Sequence, residues 1–93
     1  MTIDQLRLAL GYKNMTLREL ATLIVLYNNG EPMRTREIAL KLQIPRASMT
    51  RAFDGLSLMK LLNRQRDWVD RRDMFGRLTP AGERLAAKLT ERK

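Results

Sequence analysis

Residues 35–58 read Thr-Arg-Glu-Ile-Ala-Leu-Lys-Leu-Gln-Ile-Pro-Arg-Ala-Ser-Met-Thr-Arg-Ala-Phe-Asp-Gly-Leu-Ser-Leu. Thr35 suits a helix N-cap, because its hydroxyl accepts from the unsatisfied amides of a first turn. Arg36 to Leu42 then reads as a short helix with Ile38, Ala39 and Leu42 turned inward. Gln43-Ile44 is a tight connection. Pro45 opens the next helix, since proline at the first helical position gives up no needed hydrogen bond. At 100° per residue, Met49, Ala52, Phe53 and Leu56 share one face of that helix, which runs to Leu58. The opposite face carries Arg46, Ala47, Thr50, Arg51 and Asp54. Two helices joined by a short turn, the second apolar on one face and small, polar and basic on the other, form a helix-turn-helix pattern.

Toward the N-terminus, Ile3 to Leu10 reads as a first helix with Ile3, Leu6 and Leu10 on one face. Leu8 lies opposite, as a surface leucine or part of a subunit contact, and Gly11 stops the helix. Thr16 and Glu19 make a capping box for a second helix, with Met15 and Leu20 as its hydrophobic staple. Leu17, Leu20, Ala21, Ile24 and Tyr27 follow at helical spacing, and Leu23, Val25 and Leu26 widen the stripe, so this helix belongs at the centre of a domain. Asn28-Asn29-Gly30 ends it. Glu31 to Arg34, with Pro32, is a short extended link.

Toward the C-terminus the periodicity changes. Leu61 to Arg66 and Met74 to Leu78 read as two short strands around a charged loop, Asp67 to Asp73. Thr79-Pro80 is an N-cap followed by a first-turn proline, and the last helix, Pro80 to Arg92, turns Leu85 and Leu89 inward behind Gly82. Met15, Met33, Met49, Met59 and Met74 fall on or beside apolar stripes, where methionine fills a core. The expected fold is α+β, mainly α. It is one winged helix-turn-helix domain over residues 1–93 with three to four helices, the helix-turn-helix at 35–58, a two-stranded wing at 61–78 and a C-terminal helix at 80–92.

Composition narrows the chemistry. The chain has 93 residues, no cysteine and no histidine. Disulfides, thiolate nucleophiles, Ser-His-Asp arrangements and the commonest metal ligands are thereby excluded. The serines, Ser48 and Ser57, lack an activating base, the carboxylates are interleaved with arginines, and no glycine-rich phosphate loop is present. Neither an enzyme nor a cofactor is expected. No secretory signal and no apolar run of membrane-spanning length occur, so the expected location is the cytoplasm, at the nucleoid.

Charge is the main functional signal. Eighteen basic and ten acidic groups give a net +8, and thirteen of the cations are arginine. Residues 1–33 sum to zero, residues 34–77 to +6 and residues 78–93 to +2. Arginine makes bidentate contacts to phosphate and guanine, so clustering around the helix-turn-helix points to a polyanion partner. Arg46, Ala47, Thr50 and Arg51 are placed to meet base edges in a major groove. Ser48, nearer the side of the helix, suits a phosphate. Thr35 and Arg36, at a helix N-terminus, suit phosphate binding through backbone amides. Asp54 would orient Arg51 one turn away or be a plain surface residue. Trp68 either forms a contact surface or folds over the hairpin base.

The helix-turn-helix with Ser48-Met49-Thr50-Arg51 and Leu56 resembles that of the MarR-type repressors (multiple antibiotic resistance regulators). The resemblance is most specific at Asp70-Arg71-Arg72 followed by Leu78-Thr79-Pro80-Ala81-Gly82. It is similar to that family's wing, where an Asp-x-Arg tip precedes a Leu-Thr-x-x-Gly junction, and Arg64 matches the arginine that closes the first wing strand. The resemblance implies a bacterial transcription regulator in which Arg64, Arg66, Arg71 and Arg72 add wing contacts. An arginine tip suits a narrow minor groove, and Asp70 would hold the loop or the guanidinium by a charge-assisted hydrogen bond. The family dimerises through longer terminal helices, which here are expected to be short.

The expected activity is sequence-specific binding of double-stranded DNA, with helix 45–58 in the major groove and wing residues 67–73 in the minor groove. The alternative is a winged-helix module that docks on a protein partner in transcription or replication. A homodimer is the further partner considered, through Leu8, Val25, Leu26 or the last helix.

Overall fold

The computed structural model describes residues 1–12, 14–66 and 73–91. The elements are α1 (Ile3–Leu10), α2 (Leu17–Asn29), β1 (Met33–Arg34), α3 (Thr35–Leu42), α4 (Arg46–Leu58), β2 (Leu62–Arg66), β3 (Met74–Leu78) and α5 (Pro80–Thr90). Among the described residues, five helices and a small antiparallel sheet make a winged helix, mainly helical as expected, with the C-terminal helix following four others.

Local signals place most boundaries. The Thr16 hydroxyl accepts from the Glu19 amide, and Glu19 accepts in return from the Thr16 amide at 2.8 Å. Gly30 closes α2 in the left-handed region, at φ 76°. The Thr79 hydroxyl accepts from the Gly82 amide, with Pro80 at the first helical position. Both helices of the helix-turn-helix end in the same way: the Ile44 amide reaches the Ala39 carbonyl and the Leu61 amide reaches that of Leu56. Gln43 and Lys60 take the left-handed conformation this closure requires, at φ 57° and 60°.

The core sits where α2 packs on α4 and α5, with α3 against α4. Leu23, Ile38, Met49, Phe53, Leu56, Leu61 and Leu62 are its buried centre. All four apolar positions expected inside α4 are buried, as are Leu85 and Leu89 of α5. Met33 and Met49 lie fully inside, and Met15 and Met59 pack against the cluster.

Three expectations need correction. In α1 the buried side is Ala9 with Leu8 packed beside it, whereas Ile3, Leu6 and Leu10 are exposed. Eight residues with leucines on both sides leave the choice to whatever the helix meets, and α1 meets α5. In α2, Leu17 is exposed and the stripe centres on Thr22, Leu23 and Leu26. The Glu31 to Arg34 link ends in a strand: Met33 pairs with Gly76 and Arg34 with Phe75, so the sheet has three strands in the order β1-β3-β2.

The hairpin register sets Leu62 opposite Leu78 and Arg64 opposite Gly76. Gly76 is required there, because a β-carbon would stand 2.7 Å from the Phe53 ring. The sheet thereby closes directly on α4. The segment before Asp73, including Trp68, Asp70, Arg71 and Arg72, lies outside the described residues.

Candidate nucleic-acid interface

The outward face of α4 follows from its inward one. With Met49, Ala52, Phe53 and Leu56 buried, Arg46, Ala47, Thr50 and Arg51 are exposed on the other side and Ser48 is half-buried at the flank. Ala47 keeps the space between the two arginines low, so a base edge can approach the backbone. Thr50 is exposed and donates its hydroxyl to the Arg46 carbonyl at 3.4 Å. Arg66, on β2 near the wing, is exposed as well.

The first turn of α3 differs from expectation. Thr35 is its first helical residue and Arg34 occupies the cap position, where its amide donates to the Glu37 carboxylate at 3.2 Å. Thr35 is buried, and its hydroxyl donates a 2.6 Å hydrogen bond to Asp73 Oδ1. The Met74 amide donates to the same oxygen at 3.0 Å. Arg46 Nη2 lies 3.7 Å from Oδ1 and Arg36 Nε 3.9 Å from Oδ2. These two are charge contacts at a range too long for hydrogen bonds. A helix N-terminus attracts an anion, and here the anion is the chain's own Asp73. Of the expected pair, only Arg36 presents its side chain to solvent.

Asp73 is fully buried. Burial alone would raise its pKa; the Thr35 hydroxyl, the Met74 and Arg36 amides and the Arg46 charge outweigh burial and hold the carboxyl below its ordinary value. No local pattern marks this residue. It follows Asp70-Arg71-Arg72 in a charged stretch, and its partner Thr35 is 38 positions away.

Arg64 and Asp54 are also placed differently. Asp54 pairs with Arg64 of β2 and does not orient Arg51. The pair is surface-exposed and contributes little stability, but it compensates one of the cations expected to meet DNA. Arg34 stacks over the Phe75 ring, 4.9 Å from its centroid, on the sheet. Among the described residues no group of three acidic side chains is arranged to hold a metal ion, and no helix is long and apolar enough to cross a membrane.

Residues 13–73, well over half of the chain, match the model of the MarR family. The chain belongs to the MarR family. This family is one of transcription regulators, not of enzymes. Solved structures share the fold. A mutant of MepR from a multidrug-resistant clinical isolate of S. aureus superposes with a TM-score of 0.79 at 24% identity, over 95% of this chain and 63% of its own. YusO from Bacillus subtilis gives 0.78 at 23% identity, over 92% of this chain and 60% of its own. The transcriptional regulator Tm0710 from Thermotoga maritima gives 0.74 at 29% identity, over 92% and 60%. The chain thus spans less than two thirds of the length of these solved structures. No curated protein matches it by sequence.

Proposed function

We propose that this MarR-family chain is a transcription regulator that binds double-stranded DNA in a sequence-specific way, with α4 in the major groove and the wing hairpin in the minor groove. The observation that carries this reading is the division of α4. Its buried face is committed to the core, and its exposed face presents Arg46, Ala47, Thr50 and Arg51 as one uninterrupted strip. Such a strip lies flat in a groove and places two guanidinium groups at base edges. Arg36, Ser48 and Arg66 flank the strip and suit phosphates. Arg71 and Arg72, supported by Asp70, complete the reading as wing contacts. Family membership favours this function over docking on a protein partner, and a location at the nucleoid in the cytoplasm is the one that suits a DNA-binding regulator.

Selection of bound duplexes from a random library tests the reading directly. A single enriched site is expected, and Arg51→Ala should lose about tenfold or more in discrimination at one base pair. Binding should also weaken steeply with salt, since each neutralised phosphate contributes a slope of about 0.9 in log K against log salt. Absence of enrichment, with binding abolished by modest salt, overturns it.

A homodimer is the arrangement favoured by α1. Ile3, Leu6 and Leu10 leave three large apolar side chains exposed on one short helix, 69%, 46% and 57% accessible. Such a patch is costly to leave in water. Dimerisation through it would give an inverted repeat in the selected site. Leu6→Glu should shift sedimentation from dimer to monomer; an unchanged sedimentation coefficient overturns this assignment.

A further inference from the structure

We propose that Asp73 is a positioning residue for the DNA-reading surface: a single buried carboxylate at the root of the wing holds the guanidinium groups of Arg36 and Arg46 at the first turns of α3 and α4. The proposal rests on the DNA-binding reading for its purpose, but its geometry is independent of it. Asp73 Oδ1 already accepts two hydrogen bonds, from Thr35 and Met74, and these fix the carboxylate to α3 and β3. A neutral amide oxygen could still accept from both donors, though more weakly. The strand can thus be joined to the helix without a negative charge, and burying a charge is costly unless cations compensate it.

Two cations do. Arg46 faces Oδ1 at 3.7 Å, and Arg36 faces Oδ2 at 3.9 Å. Oδ2 makes no hydrogen bond. Both arginine side chains are about half exposed, 53% for Arg36 and 44% for Arg46. Each therefore has one side against a fixed charge and the other toward solvent, where DNA would lie. A guanidinium ordered in advance loses less conformational freedom when it meets a phosphate or a base. Because Asp73 is buried beneath them, its charge orients the arginines without facing a phosphate itself. The same carboxylate ties the wing root to both helices, so a shift of the wing is carried to Arg46.

The test is ¹⁵N relaxation of the arginine Nε–H groups in the free protein, followed by duplex selection. In the wild type, Arg46 Nε should be nearly as ordered as the backbone, whereas the exposed Arg84 should be mobile. Asp73→Asn keeps an acceptor for Thr35 and should release Arg46. Thr35→Val keeps the charge and should leave Arg46 ordered. A mobile Arg46 in the wild type overturns the proposal even if D73N does not fold, and so does a Thr35→Val effect as large as that of D73N. With DNA, D73N should lose discrimination about tenfold at the base pair that Arg46→Ala also affects. The double variant should be no worse than R46A; additive losses overturn the proposal. If Arg46 is ordered by Asp73 but the wild type selects no sequence, the DNA reading alone fails and the positioning role stands.

Discussion

Gly82, in the first turn of α5, lies directly against the backbone carbonyl of Leu61, so close that a β-carbon on Gly82 would overlap that oxygen. The same carbonyl accepts from the Thr79 amide at 3.0 Å, and the Thr79 hydroxyl donates to the Lys60 carbonyl at 2.8 Å. The end of α4, the start of the hairpin and the start of α5 thus meet at one point, and backbone atoms cannot give way as a side chain can.

Gly82→Ala should therefore destabilise the protein by about 1–3 kcal/mol through overpacking. Gly55, also helical, is the contrast. A β-carbon there would meet the Glu19 carboxylate, which is the far end of a flexible side chain. Gly55→Ala displaces Glu19 from its bond to the Thr16 amide, a loss of roughly 1 kcal/mol. It gains a similar amount, roughly 1 kcal/mol, from helix propensity. Urea unfolding should show a large loss for G82A and almost none for G55A.

Gln5 joins the two ends of the chain. Its side-chain oxygen accepts from the Thr2 amide, and its nitrogen donates to the Lys88 and Glu91 carbonyls at 3.0 and 2.9 Å. One amide caps the start of α1 and the end of α5. Gln5→Ala should cost about 1 kcal/mol, because these bonds are solvent-exposed. Hydrogen exchange should speed up in α1 and in the last turn of α5 and stay unchanged in α4.

Acid stability should depend on Asp73. Its folded pKa is depressed below the ordinary 3.8, so the unfolded chain binds the proton more readily. The stabilisation is present above the ordinary value and is lost as pH falls through the folded one. D73N should be less stable than the wild type at pH 7, and the two urea midpoints should converge as the solution is acidified below about pH 4. Parallel curves across that range would refute the assignment.

Asp54 pairs with Arg64, one of the cations expected to meet DNA. Asp54→Ala should change stability by only about 0.5 kcal/mol, since its pair with Arg64 is exposed. Duplex affinity should rise at low salt, as a negative charge leaves the surface and Arg64 is released, and the gain should shrink with added salt. Titration of a fixed duplex at two salt concentrations measures both effects.

Much of this architecture is decided within a few residues along the chain. The Thr16–Glu19 box, the Thr79-Pro80 start, Gly30 and the apolar stripe of α4 each act through neighbours one helical turn away, so their reading needs no knowledge of the rest. The exposed strip Arg46, Ala47, Thr50 and Arg51 follows from that stripe by elimination. Other features come from contacts between distant segments. Which side of α1 is buried depends on α5, about eighty residues later. Met33 finds its strand partner in Gly76, Arg64 finds Asp54, and Thr35 finds Asp73. Helix caps and faces are written in local spacing, whereas strand partners, ion pairs and a buried carboxylate under two arginines exist only after the chain has folded back on itself.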